Sequence, residues 1–252
     1  MFYHDRWPVF YEDNHLLVLY KPAGLIMQRD HKNKANLLDL AKQWIKVRYA
    51  KPGKVFAGMV HRLDGPVAGI VVVARTSKAA SRLSAQIRHG RITKQYLAVV
   101  QGRPPKPSDR VENDMVRAGR LSRIATRESA RAQKAVLHYD SLDTLGNCTL
   151  LAIDLGTGRR HQIRLQLSHL GCPVLGDVNY GASSAMPHGR IALFSHRISF
   201  EHPTRYIRMQ FETPVPLEWP WPSEEDDADR PLWTIEAYEQ AGLVLPEISA
   251  SR

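Results

Sequence analysis

The alternation of apolar and polar positions divides this chain into short strands and a few helices. Val9-Phe10-Tyr11 and Leu16-Leu17-Val18-Leu19-Tyr20 predict two strands joined by a polar turn at Glu12-Asp13-Asn14. Asn36 stands where a side-chain oxygen can cap a helix over 37–49, and Asp39 falls in its first turn, facing the positive end of the helix. Ile70-Val71-Val72-Val73-Ala74 is an unbroken β-branched run of the kind that forms a buried strand. Thr76 then caps a second helix that Gly90 closes. Ala80, Leu83 and Ile87 give that helix an apolar stripe, and Lys78, Arg82 and Arg88 leave it a basic face.

Further along, 95–102 predicts a strand, and 103–108, with three prolines, a loop. The stretch 117–134 carries six bases and one acid with little periodicity, which fits a mobile basic arm or a hairpin. Strand pairs are expected at 132–142 with 147–155, around Gly146, and at 191–200 with 206–213. A helix is expected at 160–170, ended by Gly171. After Pro222 the chain turns acidic at Ser223-Glu224-Glu225-Asp226-Asp227, and 232–240 fits a short helix. The expected organisation is one body over 1–222 and an acidic tail over 223–252, which either covers a basic surface or lacks order.

Charge sharpens this division. The tail holds eight acids and two bases, a net of −6, so the body carries +16 of the chain's +10 total. A body with that excess attracts polyanions by steering and counterion release. The length of 252 residues and the 43% apolar share suit one large or two small globular domains with a substantial core. No apolar run is long enough to cross a bilayer, and the opening Met1-Phe2-Tyr3-His4-Asp5-Arg6-Trp7-Pro8 has no apolar signal region. A soluble cytoplasmic protein is expected, with no membrane partner. Cys148 and Cys172 are too few for a disulfide framework and form no zinc signature. His161 and His169 are eight apart, and no His-Glu-x-x-His, Gly-x-Ser-x-Gly or Gly-x-Gly-x-x-Gly run occurs. No metal and no cofactor are expected.

Three runs carry candidate chemistry. In Val60-His61-Arg62-Leu63-Asp64-Gly65-Pro66, an arginine and an aspartate lie two apart just before the buried strand. Gly65 lets the backbone turn and Pro66 biases it away from helix, so Asp64 either caps a turn or is presented as a reactive carboxylate. In Thr157-Gly158-Arg159-Arg160-His161-Gln162-Ile163-Arg164, a glycine turn feeds a helix start. Arg160 and Arg164 share a helix face, where one can bind phosphate and the other pair with a buried carboxylate. In Lys94-Gln95-Tyr96-Leu97-Ala98, Tyr96 is either core packing or a stacking platform for a base.

These runs, in this order, resemble the RluA-type family of RNA pseudouridine synthases. The resemblance extends to Lys21-Pro22-Ala23-Gly24-Leu25, to Gly171-Cys172-Pro173-Val174-Leu175-Gly176-Asp177 with Tyr180-Gly181, and to His202-Pro203, and it spans roughly residues 9 to 217. It implies an α+β fold: a mixed, mostly antiparallel sheet with flanking helices and a central basic cleft, without the small N-terminal RNA-binding domain that many relatives carry. It implies that Asp64 is the essential carboxylate, that Tyr96 stacks on the flipped base, and that Arg164 holds Asp64 in a salt bridge. Arg62 would enter the RNA stack, and His61, Lys94, Arg160 and Lys21 are expected to contact RNA with it. The partner would be tRNA or rRNA and not DNA, bound by a monomer. Exchanging a C–N for a C–C bond within one nucleotide needs no redox centre.

The chain departs from the family where Val67-Ala68-Gly69 replaces Thr-Ser-Gly, where Tyr20 replaces the Asn before Lys21-Pro22, and at Phe194-Ser195-His196, where Leu-His-Ala is more usual. Apolar packing replaces the two lost hydroxyls, or the loop is looser. Two other readings compete: a catalytically silent RNA-binding or ribosome-assembly factor of the same fold, and a hydrolase of a phosphorylated small molecule. The Asp64, Tyr96 and Arg164 trio argues against the first, and the absence of a metal motif against the second.

Overall fold

The β-branched run forms the strand it predicts, and the chain is arranged around it. The computed structural model describes residues 9–28, 36–126, 129 and 131–241. They form two compact units that interleave in sequence. One is drawn from 1–92, 199–219 and 223–252, the other from 93–198 and 220–222.

The first unit opens with β1 (Val9–Glu12) and β2 (Leu16–Lys21), then α1 (Leu37–Arg48), β3 (Gly58–Met59), β4 (Ala68–Ala74) and α2 (Ser77–Arg88). The β1–β2 turn is fixed by Asp13, whose Oδ1 accepts from the amides of His15 and Leu16, each at 2.8 Å. β2 lies antiparallel between β1 and β4, with Leu16 opposite Ala74 and Lys21 opposite Gly69. Every residue of β2 and β4 is buried, as continuous apolar runs require. Asn36 and Thr76 cap α1 and α2 through the amides of Asp39 and Ala79. The α2 stripe differs from the expected one. Its buried positions are Ala79, Leu83 and Gln86, while Ala80 and Ile87 are only partly covered. Gln86 is buried because its amide serves a backbone edge: Nε2 donates to Glu201 O at 2.8 Å, and Oε1 accepts from Glu201 N at 2.9 Å.

The second unit holds β5 (Thr93–Gln101), β6 (Ser108–Ala118), β7 (Leu121–Ile124), β8 (Gln133–Leu145), β9 (Cys148–Leu155) and α3 (Gln162–His169). Its strands run antiparallel in the order β5-β9-β8-β6-β7. Much of the expected basic arm is therefore a hairpin, turning at Gly119 (φ +57°) between β6 and β7. β6 itself was not expected from the sequence. Met115, Ala135, Leu165 and Tyr180 form a buried cluster, with Leu121 and Ile124 against it. α3 begins two residues later than expected, because His161 before it adopts a left-handed conformation (φ +55°).

β10 (Leu193–Glu201) carries the chain back to the first unit, which ends with β11 (Arg208–Glu212) and α4 (Ile235–Gln240). The acidic stretch does not hang free: described residues after Ser223 belong to the first unit, where Trp233, Ile235 and Tyr238 are buried. No helix among the described residues is long and apolar enough to cross a membrane.

Replacing Gln86 by leucine should cost about 1–3 kcal/mol, because the amide and carbonyl of Glu201 lose their partner. Urea unfolding of the two proteins measures this; an unchanged midpoint would mean that water replaces the Gln86 amide.

Candidate active site

Asp64 sits in a loop between two apolar anchors, Leu63 and Val67, which are 6% and 2% exposed. The turn closes through its backbone, with Val67 N donating to Asp64 O at 3.1 Å. Its carboxylate is half-buried and acts electrostatically on Lys21. Val67 and Ala68, the departures from Thr-Ser, are both buried, so apolar packing takes the place of the missing hydroxyls.

Lys21 is placed differently from the expected RNA contact. It is fully buried, and its ammonium donates to Pro22 O at 2.8 Å, Leu25 O at 2.7 Å and Gly65 O at 3.2 Å. A lysine can be sealed from water only if oxygens replace its hydration, and these three carbonyls do so. Gly24 N donates to the same Gly65 carbonyl at 2.9 Å. The residue after Asp64 is thus held from two sides. Burial pushes the Lys21 pKa down to about 7, against the opposing pull of Asp64.

His61 also faces inward. Its Nε2 accepts from Val72 N at 2.9 Å and so steadies β4. Arg62 is exposed, as an RNA contact requires.

In the second unit the Thr157–Arg164 run folds into a braced turn. Gln162 Oε1 accepts from Thr157 Oγ1 at 2.7 Å and from Arg159 N at 3.0 Å, while its Nε2 donates to Val136 O at 3.0 Å. The Lys94 ammonium approaches Gly158 so closely that a Cβ there would lie 3.4 Å from Nζ. Burial lowers the pKa of Lys94. Arg160 turns to the carbonyls of Gly119 and Arg120 and clamps the β6–β7 hairpin, where a phosphate contact was expected. His161 Nδ1 lies 2.8 Å from the Tyr180 hydroxyl, which also accepts from Ser122 N at 2.9 Å.

Arg164 is 4% exposed, and its Nε and Nη2 reach Asp177 Oδ2 and Oδ1 at 2.6 and 2.8 Å. The pair is bidentate, and its carboxylate is Asp177, whereas the family resemblance implied Asp64 as the partner of Arg164. The guanidinium also lies 5.0 Å from the centre of the Tyr180 ring. Tyr96 is 5% exposed on β5, opposite Ile153. Sequence reasoning assigned no role to Gln162, Asp177 or Tyr180. The signal for Asp177 was available, since an arginine on an apolar helix face demands a carboxylate.

The family described as RNA pseudouridylate synthase matches residues 15–169. The chain belongs to this family. Its reaction class, isomerisation acting on RNA, is the one expected from the sequence. The ribosomal large subunit pseudouridine synthase D of Zymomonas mobilis is 32% identical over 226 residues, covering 83% of this chain and 69% of that protein. The enzyme of the same name from Xylella fastidiosa is 34% identical over 221 residues, covering 82% and 66%. The chain thus spans about two thirds of the length of these synthases. The fold matches that of human RNA pseudouridylate synthase domain containing 4, with a TM-score of 0.71, 21% identity and 84% and 89% coverage. The α+β architecture is therefore that of a pseudouridine synthase.

Two measurements test the supports of this site. Asp177→Asn should destabilise the protein by about 3–5 kcal/mol in urea unfolding, because the bidentate ion pair with the buried Arg164 loses its negative charge; a loss under about 1 kcal/mol would show that the pair is dispensable. Lys21 gives a pH signature. Below pH 7 it is charged in both the folded and unfolded chain, and the full cost of burying that charge is present. From about pH 7 to 10.5 the folded chain has released the proton while the unfolded chain keeps it, so stability rises with pH. Between pH 7 and 9 the wild-type protein should gain about 2 kcal/mol on Lys21→Met. A pH-independent difference between the two would contradict the lowered pKa.

Proposed function

We propose that this chain converts specific uridines of structured RNA to pseudouridine, with Asp64 as the carboxylate that carries the chemistry. The observation that supports this most is the support of the Asp64 loop. Lys21 and Gly24 both bond the Gly65 carbonyl, and buried Val67 anchors the far side. A turn residue without a task has no need of a buried lysine beneath it.

The reaction breaks the N1–C1′ bond of uridine and rebuilds it as C5–C1′. An ionised Asp64 attacks the sugar or takes a sugar proton, and either step needs the base held while it is detached and turned. Extruding the base costs a few kcal/mol of unstacking. Stacking on Tyr96 returns about 1–3 kcal/mol. In this mechanism Arg164 is the cation that holds the Asp64 carboxylate in place. Arg62 enters the RNA stack, and Lys94 and the basic β6–β7 hairpin track the phosphates.

The relatives named for the large ribosomal subunit favour ribosomal RNA over transfer RNA as substrate. We place the protein in the cytoplasm, where that RNA is found, and expect it to act as a monomer on RNA and not on DNA.

Carbodiimide mapping of pseudouridine in total RNA, with and without this protein, tests the proposal. One site should disappear without it and return when the wild-type gene is restored. Asp64→Asn should not restore the site, while binding RNA within about tenfold of wild type, because it removes chemistry and leaves phosphate contacts. Comparable modification by both proteins would sink the assignment.

A further inference from the structure

The segment after Pro222 is packed in a way that its acidic composition does not suggest. Arg230, 9% exposed, donates to Val215 O at 3.1 Å and Pro216 O at 2.9 Å. Trp233 is buried with its ring 5.1 Å from that of Trp219. The segment then meets the Lys21–Leu25 run backbone to backbone. Ala23 N donates to Trp233 O, and Ile235 N donates to Ala23 O, both at 2.8 Å. Ala23 and Thr234 form an isolated parallel bridge.

Tyr20, one of the departures from the family, belongs to the same contact. Its hydroxyl donates to Leu232 O at 3.1 Å, and its ring lies 6.5 Å from that of Tyr238. The Tyr238 hydroxyl in turn accepts from Leu232 N at 3.2 Å. An asparagine at position 20 is too short to make this contact. Gly24 closes the fit: its φ is +88°, and a Cβ there would stand 2.9 Å from Ile235 Cγ2.

Both groups that hold the Gly65 carbonyl flank this contact. Lys21 lies two residues before Ala23 and Gly24 one residue after it, and each donates to Gly65 O. A shift of the Ala23 peptide therefore moves both donors, and with them the residue next to Asp64.

We propose that the C-terminal strap around Thr234 is a positioning element of the Asp64 loop, acting through Ala23 and Gly24 on the Gly65 carbonyl. This rests on Asp64 being the catalytic carboxylate. The strap touches no substrate; its residues act through the loop they brace, and Tyr20 is the body's matching half of the latch.

The test is Ile235→Pro. Ile235 is the first residue of α4, where proline is tolerated, and Thr234 before it is extended (φ −115°, ψ 159°), as a residue preceding proline must be. The substitution deletes the N–H that bonds Ala23 O and leaves the helix able to form. Trp44→Phe in α1, which removes a hydrogen bond from Trp44 Nε1 to Glu12 of β1, serves as the control for general loss of stability. Two readouts apply. Amide exchange at Gly24 and Val67, followed by NMR, should speed by about tenfold in Ile235→Pro and stay at the wild-type rate in Trp44→Phe. On RNA modified by the wild-type protein, kcat should fall by about tenfold with KM within about twofold, as misplacement of a reacting group requires. If Ile235→Pro does not fold, Tyr238→Phe, which removes the acceptor for Leu232 N, should show the same two changes at about threefold. Unchanged exchange at both amides in a folded variant would overturn the proposal, whatever the activity. A normal wild-type kcat matched by Ile235→Pro would overturn it alone, whereas a wild-type protein inactive on every RNA would overturn the Asp64 reading.

Discussion

A buried ammonium must be given oxygen atoms to replace its water, and in this protein that requirement organises the ground beneath the candidate catalytic carboxylate. Lys21 draws the carbonyls of Pro22, Leu25 and Gly65 to one point. Two of those carbonyls belong to the tight segment after β2, and the third follows Asp64. The lysine thus ties two loops that are 44 residues apart in sequence. Separating the loops would leave a buried amine without its oxygen partners, which carries a penalty in either protonation state. Their mutual position is set by an electrostatic necessity more than by the shape of the core.

The second unit solves the same kind of problem with other groups. Arg164 is buried against Asp177, and Gln162 serves Thr157 and Arg159 in the turn before α3 and the Val136 carbonyl on β8. Arg160 gives its guanidinium to the carbonyls of a hairpin tip. Much of the basic and amide content of the motif is therefore spent on backbone. The charge excess of the body overstates what remains for a polyanion, and exposed side chains such as Arg62 are better placed to meet one.

How legible this was depended on which groups hide. Ile70–Ala74, the caps Asn36 and Thr76, and the turn at Gly146 followed from composition and spacing, since apolar burial and capping leave periodic traces. β6 escaped because Asn113, between the buried Val111 and Met115, is polar. It faces inward to accept from Gln166 Nε2 at 2.9 Å, and so breaks the expected alternation. Gln86 disturbed the α2 stripe for the same reason. Charge alone points a lysine outward, so the burial of Lys21 leaves no trace in the sequence. Only the folded chain reveals that backbone oxygens stand in for phosphate. Asp64, Tyr96 and Arg164 stood out through the family resemblance, whereas local chemistry left Asp64 and Tyr96 open to ordinary readings.

The strap also fixes an order of events during synthesis. The second unit comes almost entirely from one continuous stretch, residues 93–198, and its strands pair with near neighbours in sequence. The first unit needs both ends of the chain: β2 leaves the ribosome early, but its neighbour Ala23 waits for Trp233 and Ile235, about 210 residues later. Contacts of such long separation form last, because loop closure must be met before they return any stabilisation. A nascent chain that stops short of α4 can hold a finished second unit and a hydrophobic β2 and β4, yet lack the final brace under Asp64. Translation through α4 thereby becomes a precondition for a settled Asp64 loop, and a chain ended before it is left without one.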